Sequence, residues 1–426
     1  MKRLFTFLLA LLMVSAVHAQ QDDAPPISPA LDAQLDRIEA AISRLRGLDA
    51  QDELIRLFPS REEARAEIIR LTEEQLTDEY VFEETQFYRA FDFFDETVDL
   101  RAVYLNLIGE QAAGFYNSET KEMTVVPISG ETLTDSLPLL ESITYAHEFT
   151  HALQDQYFDL AAVQAAMPEN EPDQLIAVLS LIEGDATVAM TDYALVAVQE
   201  NPQSAIELLS NPDILAAAEI PEGTPDILAN ELIFPYQIGQ TFVEALRTQG
   251  GWDAVNAAYA NLPQSSEQVI HPERYLAGDM PQDVTVTDAL DALEGDGWQQ
   301  VFERTLGEFY LRRYLITQLP QPIVNTAATG WGGDRYILYT NDAADERAWV
   351  MNLVWDTPED ATEFLEAFQQ FGALRTNAEM TPKADNTIEC WEDATTSESF
   401  CLHSDNMTIA FAPSLADAMA LVMAQE

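Results

Sequence analysis

The chain has 426 residues, 47% hydrophobic and 22% charged, a balance that can bury a core and excludes a disordered or low-complexity polymer; at about 150 residues per domain it predicts more than one unit. Lysine and arginine number 21 against 73 aspartates and glutamates, a net charge of −52. With Lys2, Lys121 and Lys383 the only lysines, a basic surface for phosphate is hard to assemble, so no nucleic-acid partner is expected and the scattered acids predict a solvated, self-repelling surface.

In chain order, Lys2-Arg3, an apolar run over residues 4–17 and the small-residue end at Ala19 have the make-up of a secretory signal peptide, residues 1–19. The run is shorter than the roughly 20 residues that cross a bilayer, which predicts a secreted chain, periplasmic or extracellular, with no stable membrane span after cleavage. Residues 20–77 read as an N-terminal helical segment. Leu31, Leu35, Ile38 and Ile42 recur at helical spacing, and Ser60 with Glu63 forms a capping-box pattern that opens a second helix. Whether this segment is an inhibitory pro-segment or part of the fold is open from sequence.

Residues 78–325 are expected to form the main domain. Residues 114–127 carry β-favouring side chains on both sides of a polar turn, a hairpin. From Ser136, a candidate cap, with Pro138 in the first turn, the pattern becomes a helix to about residue 160. Further helices are predicted over 174–198, 227–249, 252–261 and 298–318, with Gly250-Gly251 ending one of them. Proline and glycine concentrate between residues 318 and 333, which places a domain edge near 325. Residues 326–426 then read as a small α+β domain, with strands near 336–339, 349–355 and 407–411, helices over 357–371 and from Ser414, and a disulfide between Cys390 and Cys401 of the kind an exported chain can keep. The predicted fold class is α+β: a mainly helical domain with a β-hairpin before its central helix, followed by this smaller domain.

The residues that carry chemistry are His147-Glu148-Phe149-Thr150-His151. Two imidazoles four apart lie one above the other on a helix face and can grip one Zn2+, which accepts neutral imidazole nitrogen. Glu148, rotated by one residue, is poorly placed as a ligand but suited to be a general base. Residues 152–160 hold no third histidine, so a carboxylate is required. Glu183 and Asp185 interrupt an apolar helix, where a carboxylate costs several kcal/mol unless paired, and a divalent cation is the strongest partner. Glu183 is the expected third ligand. Asp185 competes for that role or orients a ligand imidazole, since the two side chains point about 200° apart.

His147-Glu-Phe-Thr-His151 followed by Glu183-Gly184-Asp185-Ala186 resembles the gluzincin zinc metallopeptidases. Gly114-Phe-Tyr-Asn117 and Ser266-Glu-Gln-Val-Ile-His-Pro-Glu-Arg-Tyr275 extend the likeness to a little-characterised set of secreted prokaryotic proteins of that type, over roughly residues 100–280. The resemblance implies a zincin-like catalytic domain and a peptide or protein substrate cleaved by water activated on the metal. It also implies an edge strand within residues 109–116 along which the peptide adds, and a histidine or tyrosine that steadies the oxyanion. His271 is the first choice for that role, Tyr236 and Tyr275 the alternatives. A rival reading is a secreted binding or scaffold protein with a structural zinc. Structural sites usually fill all four positions with Cys and His, so three N/O ligands beside a free glutamate favour catalysis.

Overall fold

The computed structural model describes residues 27–110, 114–118, 120–126, 135–168, 171–210, 220–383 and 387–426. The expected signal peptide and part of the expected substrate edge, residues 111–113, lie outside the described residues. The fold is α+β, with a helical region and a separate C-terminal β-sheet region. The described residues divide into two compact units, the first drawn from 1–78, 99–169 and 177–263 and the second from 79–98, 170–176 and 264–426.

In chain order the first elements are α1 (Pro29–Arg46), β1 (Ile55–Leu57), α2 (Arg61–Gln75), α3 (Asp78–Ala90), α4 (Leu100–Glu110), β2 (Gly114–Asn117) and β3 (Glu122–Val125). They are followed by α5 (Leu139–Phe158), α6 (Leu160–Ala166), α7 (Pro172–Glu200), α8 (Pro202–Ser210) and α9 (Asp226–Ala260). Ser60 and Glu63 close the capping box that opens α2. The expected hairpin is present as antiparallel β2 and β3, and β1 adds to it in parallel, giving the order β1-β3-β2 with β2 at an edge. Pro138, with no side-chain cap, stands at the start of α5 in place of the expected Ser136. Gly250 and Gly251 leave helical angles and break α9 where two helices were expected.

α5 is the centre of the first unit. The apolar face of α1, Leu31, Leu35, Ile38 and Ile42, joins Tyr145, Ala146, Phe149, Ala152 and Leu153 of α5 and Tyr116, Met123 and Val125 of the hairpin in one buried cluster. Burying four such side chains of α1 is worth roughly 1.5–3 kcal/mol each. The N-terminal helix is therefore an integral part of this core.

The second unit contains α10 (Ser266–Ile270), α11 (Pro272–Ala277), β4 (Gln299–Arg304), α12 (Gly307–Leu315), α13 (Gln321–Ala328), β5 (Trp331–Asn341) and β6 (Glu346–Trp355). α14 (Pro358–Thr376), β7 (Thr381–Lys383), β8 (Ile388–Glu392), β9 (Ser399–His403), β10 (Thr408–Ala412) and α15 (Leu415–Met423) complete it. Its strands form an antiparallel seven-stranded sheet in the order β4-β5-β6-β10-β9-β8-β7. The alternation of strand side chains separates two faces. Ile337, Tyr339, Val350, Ala410 and the Cys390–Cys401 disulfide pack with Ala418, Leu421 and Val422 of α15, while Trp349, Phe400 and Phe411 face an aromatic layer with Phe91, Tyr314, Phe368 and Phe371. The disulfide joins directly opposite residues of β8 and β9, as the expected hairpin staple would.

The helix expected over residues 298–318 is corrected. Its first part is β4, where Phe302 and Arg304 are buried and Glu303 is exposed, a period of two set by pairing with β5. Residue Gly307, at φ 77°, then turns the chain into α12. The proline-bearing stretch near 325 is itself helical as α13, with Pro322 in its first turn, where a missing N–H costs nothing.

Candidate metal centre

Two helices of the first unit bring the motif residues together. On α5, His147 and His151 lie one turn apart, with ring centroids 4.6 Å from each other and planes at 88°. α7 delivers Glu183, whose Oε2 is 3.1 Å from His147 Nε2 and 3.6 Å from His151 Nε2; the two ring nitrogens are 3.0 Å apart. A tetrahedral ion with bonds of about 2.0–2.1 Å sets its ligand atoms about 3.3 Å apart, and these three separations straddle that value. All three residues are buried, and they form the group able to hold a metal ion among the described residues.

The approach of α7 to its neighbours is set by side chains that are absent. A Cβ on Gly184 would lie 2.2 Å from the carbonyl oxygen of Gly239 on α9, and one on Gly239 would lie 2.2 Å from that of Ser180. This backbone-to-backbone crossing brings Tyr236, one turn before Gly239, to the centre. Its ring is 5.9 Å from that of His147 and near parallel to it.

Around the three ligand atoms the polar groups are fixed. His151 Nδ1 is 2.8 Å from Gln154 Oε1, and Gln154 Nε2 donates to the carbonyl of Ile182, the residue before Glu183. Nδ1 of His147 is buried with no partner. Glu148 Oε2 accepts the backbone N–H of Tyr116 at 3.0 Å. The hairpin that supplies this amide is tied to α5 by Asp155, which accepts from Tyr116 Oη at 2.8 Å and pairs with Lys121.

Burial opposes charge on every group here. For Glu183 the imidazoles of His151 and His147 outweigh it and lower the carboxyl to about 2. For His151 the carboxylates of Glu183 and Glu148 outweigh it and raise the ring to about 9. Burial dominates at Glu148, which stays above the ordinary glutamate value although both rings pull it down, and at Tyr236, whose phenol is held protonated. Lone-pair donors gathered against such a desolvation cost are what a divalent cation compensates.

Asp185 does not orient an imidazole; that place belongs to Gln154. The carboxylate of Asp185 is instead paired with Arg46 through Nε at 2.6 Å and Nη2 at 3.0 Å. His271 belongs to the second unit, where it links α10 to α11 and its Nε2 lies 3.0 Å from Glu308 Oε1. Tyr275 belongs to the second unit as well. Sequence reasoning missed Gln154 and Arg46. Gln154 had a usable signal, a carboxamide three residues beyond His151 on the same helix face; Arg46, 139 residues from its partner, had none.

Residues 297–422 match the family model of a domain of unknown function, DUF8575, a stretch that contains the seven-stranded sheet and none of the metal-centre residues. No curated protein and no solved structure matches the chain.

Proposed function

We propose that the chain is a secreted zinc-dependent peptidase of the gluzincin kind. The observation that supports this reading is the convergence of His147 Nε2, His151 Nε2 and Glu183 Oε2 with Glu148, a carboxylate outside the ligand set, beside them. Zinc held by those three residues would supply Lewis acidity, lowering the pKa of a water and polarising the scissile carbonyl. Glu148 has Oε2 engaged by the Tyr116 amide, which leaves Oε1 to take the proton from that water and deliver it to the departing amine nitrogen. Because β2 is an edge strand, an extended peptide adding to it would be laid across Glu148. Tyr236, whose ring lies 5.9 Å from that of His147 in the same unit, is the first choice for the oxyanion donor, with His271 the alternative.

The test compares the purified chain with Glu148→Gln for metal content and for cleavage of a peptide library. One zinc per chain in both, and cleavage lower by about 10²–10⁴-fold in the variant, is the expected result. Equal digestion by the two proteins would leave the rival, a secreted binding or scaffold protein with a structural ion. Tyr236→Phe and His271→Asn in the same assay assign the oxyanion donor.

A further inference from the structure

We infer that Arg46, the last residue of α1, is a positioning residue for the ligand Glu183, acting through Asp185; this rests on the reading of His147, His151 and Glu183 as a metal site. Arg46 is fully buried. Its fork grips both oxygens of Asp185, and its Nη2 also donates to Asn256 Oδ1 at 2.7 Å. Tyr259 Oη donates to Asp185 Oδ2 at 2.9 Å. The guanidinium lies 4.4 Å over the ring of Trp252, whose Nε1 donates back to the carbonyl of Leu45 at 2.7 Å. The end of α1 is thus clamped to α7 and α9 together.

Asp185 follows Glu183 by two residues, so its side chain leaves α7 on nearly the opposite side. A bidentate grip there fixes the rotation of α7 about its axis at the very turn that presents Glu183 to the two rings. Stability does not require the pair: α1 already buries Leu31, Leu35, Ile38 and Ile42, and a buried ion pair is often no more stabilising than apolar residues of similar volume. What the pair adds is a defined orientation. It follows that α1 is part of the support of the metal centre.

The experiment uses the full chain with Arg46→Lys, which keeps the charge and loses the fork, and the double variant Arg46→Met/Asp185→Leu, which removes both buried charges. Three quantities are read: the thermal midpoint in chelator, the Zn2+ affinity by competition with a chelating dye, and the visible spectrum of the Co2+ form. The double variant is expected to melt near the wild type, while both variants bind Zn2+ about 10–100-fold more weakly, as when an outer-shell partner is lost, with altered Co2+ bands. Wild-type affinity and spectrum in either folded variant would overturn the inference and leave the metal reading intact. Failure of the wild type to bind either ion would overturn the metal reading and this inference with it.

Discussion

The ring nitrogen that faces the ligand cluster in His151 is chosen by Gln154. The amide cannot be reversed without setting its oxygen against the carbonyl oxygen of Ile182, which can only accept, because Nε2 donates there. Its Oε1 therefore accepts, Nδ1 of His151 carries a proton, and Nε2 is the nitrogen that can give its lone pair to a metal ion once its own proton leaves. One carboxamide thus sets a tautomer on α5 and holds the backbone of α7 next to Glu183. Gln154→Leu is expected to lower Zn2+ affinity by about 10–100-fold, measured by dye competition, with the helical circular dichroism retained. An unchanged affinity would show that packing alone orients the ring. His147 lacks such a partner on Nδ1 and is held by the near-parallel ring of Tyr236.

Between elements, the decisive feature is the crossing of α7 and α9 at Gly184 and Gly239. In an ordinary helix interior, Gly→Ala stabilises by about 1 kcal/mol. Here the new Cβ would stand 2.2 Å from a carbonyl oxygen, so the helices must separate, at a cost of about 1–3 kcal/mol or more, and Glu183 and Tyr236 would move apart. Gly239→Ala is expected to lower the thermal midpoint by several degrees and to weaken metal binding, whereas a gain in stability would show that the crossing is loose. This crossing also marks how far the sequence could be read. Local chemistry was legible: the capping box of Ser60 and Glu63, the apolar stripe of α1, the two imidazoles one turn apart, and the carboxylate stranded in an apolar run. Non-local pairing was not. The residues of β4 read as helix in the sequence, because their period of two is expressed only in the pairing with β5. The choice between Glu183 and Asp185 depended on Arg46, which sits in a helix far upstream, and nothing near Gly239 announces that a second glycine waits to meet it.

For the molecule as a whole, acidity is both a surface and an interior property. The net charge of −52 repels itself more in the compact state than in the unfolded chain, and the second unit also buries carboxyls that resist ionisation. Burial, with Asp334 and Glu308 nearby, pushes Asp173 up to about 8 against the donors of Ser266. Burial beside Glu308 and Asp356 pushes Glu267 up to about 9. Asp334, buried but bonded by the amides of Leu306 and Gly307, reaches about 6. In each case the folded state holds a proton that the unfolded chain releases near pH 4, so the stabilisation is complete below that pH and is lost as pH rises through the folded values. Stability of the second unit should therefore fall steadily from about pH 4 to pH 9. Trp298, Trp331, Trp349, Trp355 and Trp391 belong to this unit, and Trp252 to the other, so urea unfolding followed by tryptophan fluorescence reads mainly the unit in question. Added salt screens the surface repulsion and leaves the buried groups untouched. In high salt the remaining slope should flatten between about pH 4 and pH 8 in Asp173→Asn, whose neutral amide keeps the acceptor and cannot ionise, by up to a few kcal/mol at about 1.4 kcal/mol per unit. A slope identical in the variant would mean that the Asp173 carboxyl ionises in the folded protein as it does in the unfolded chain.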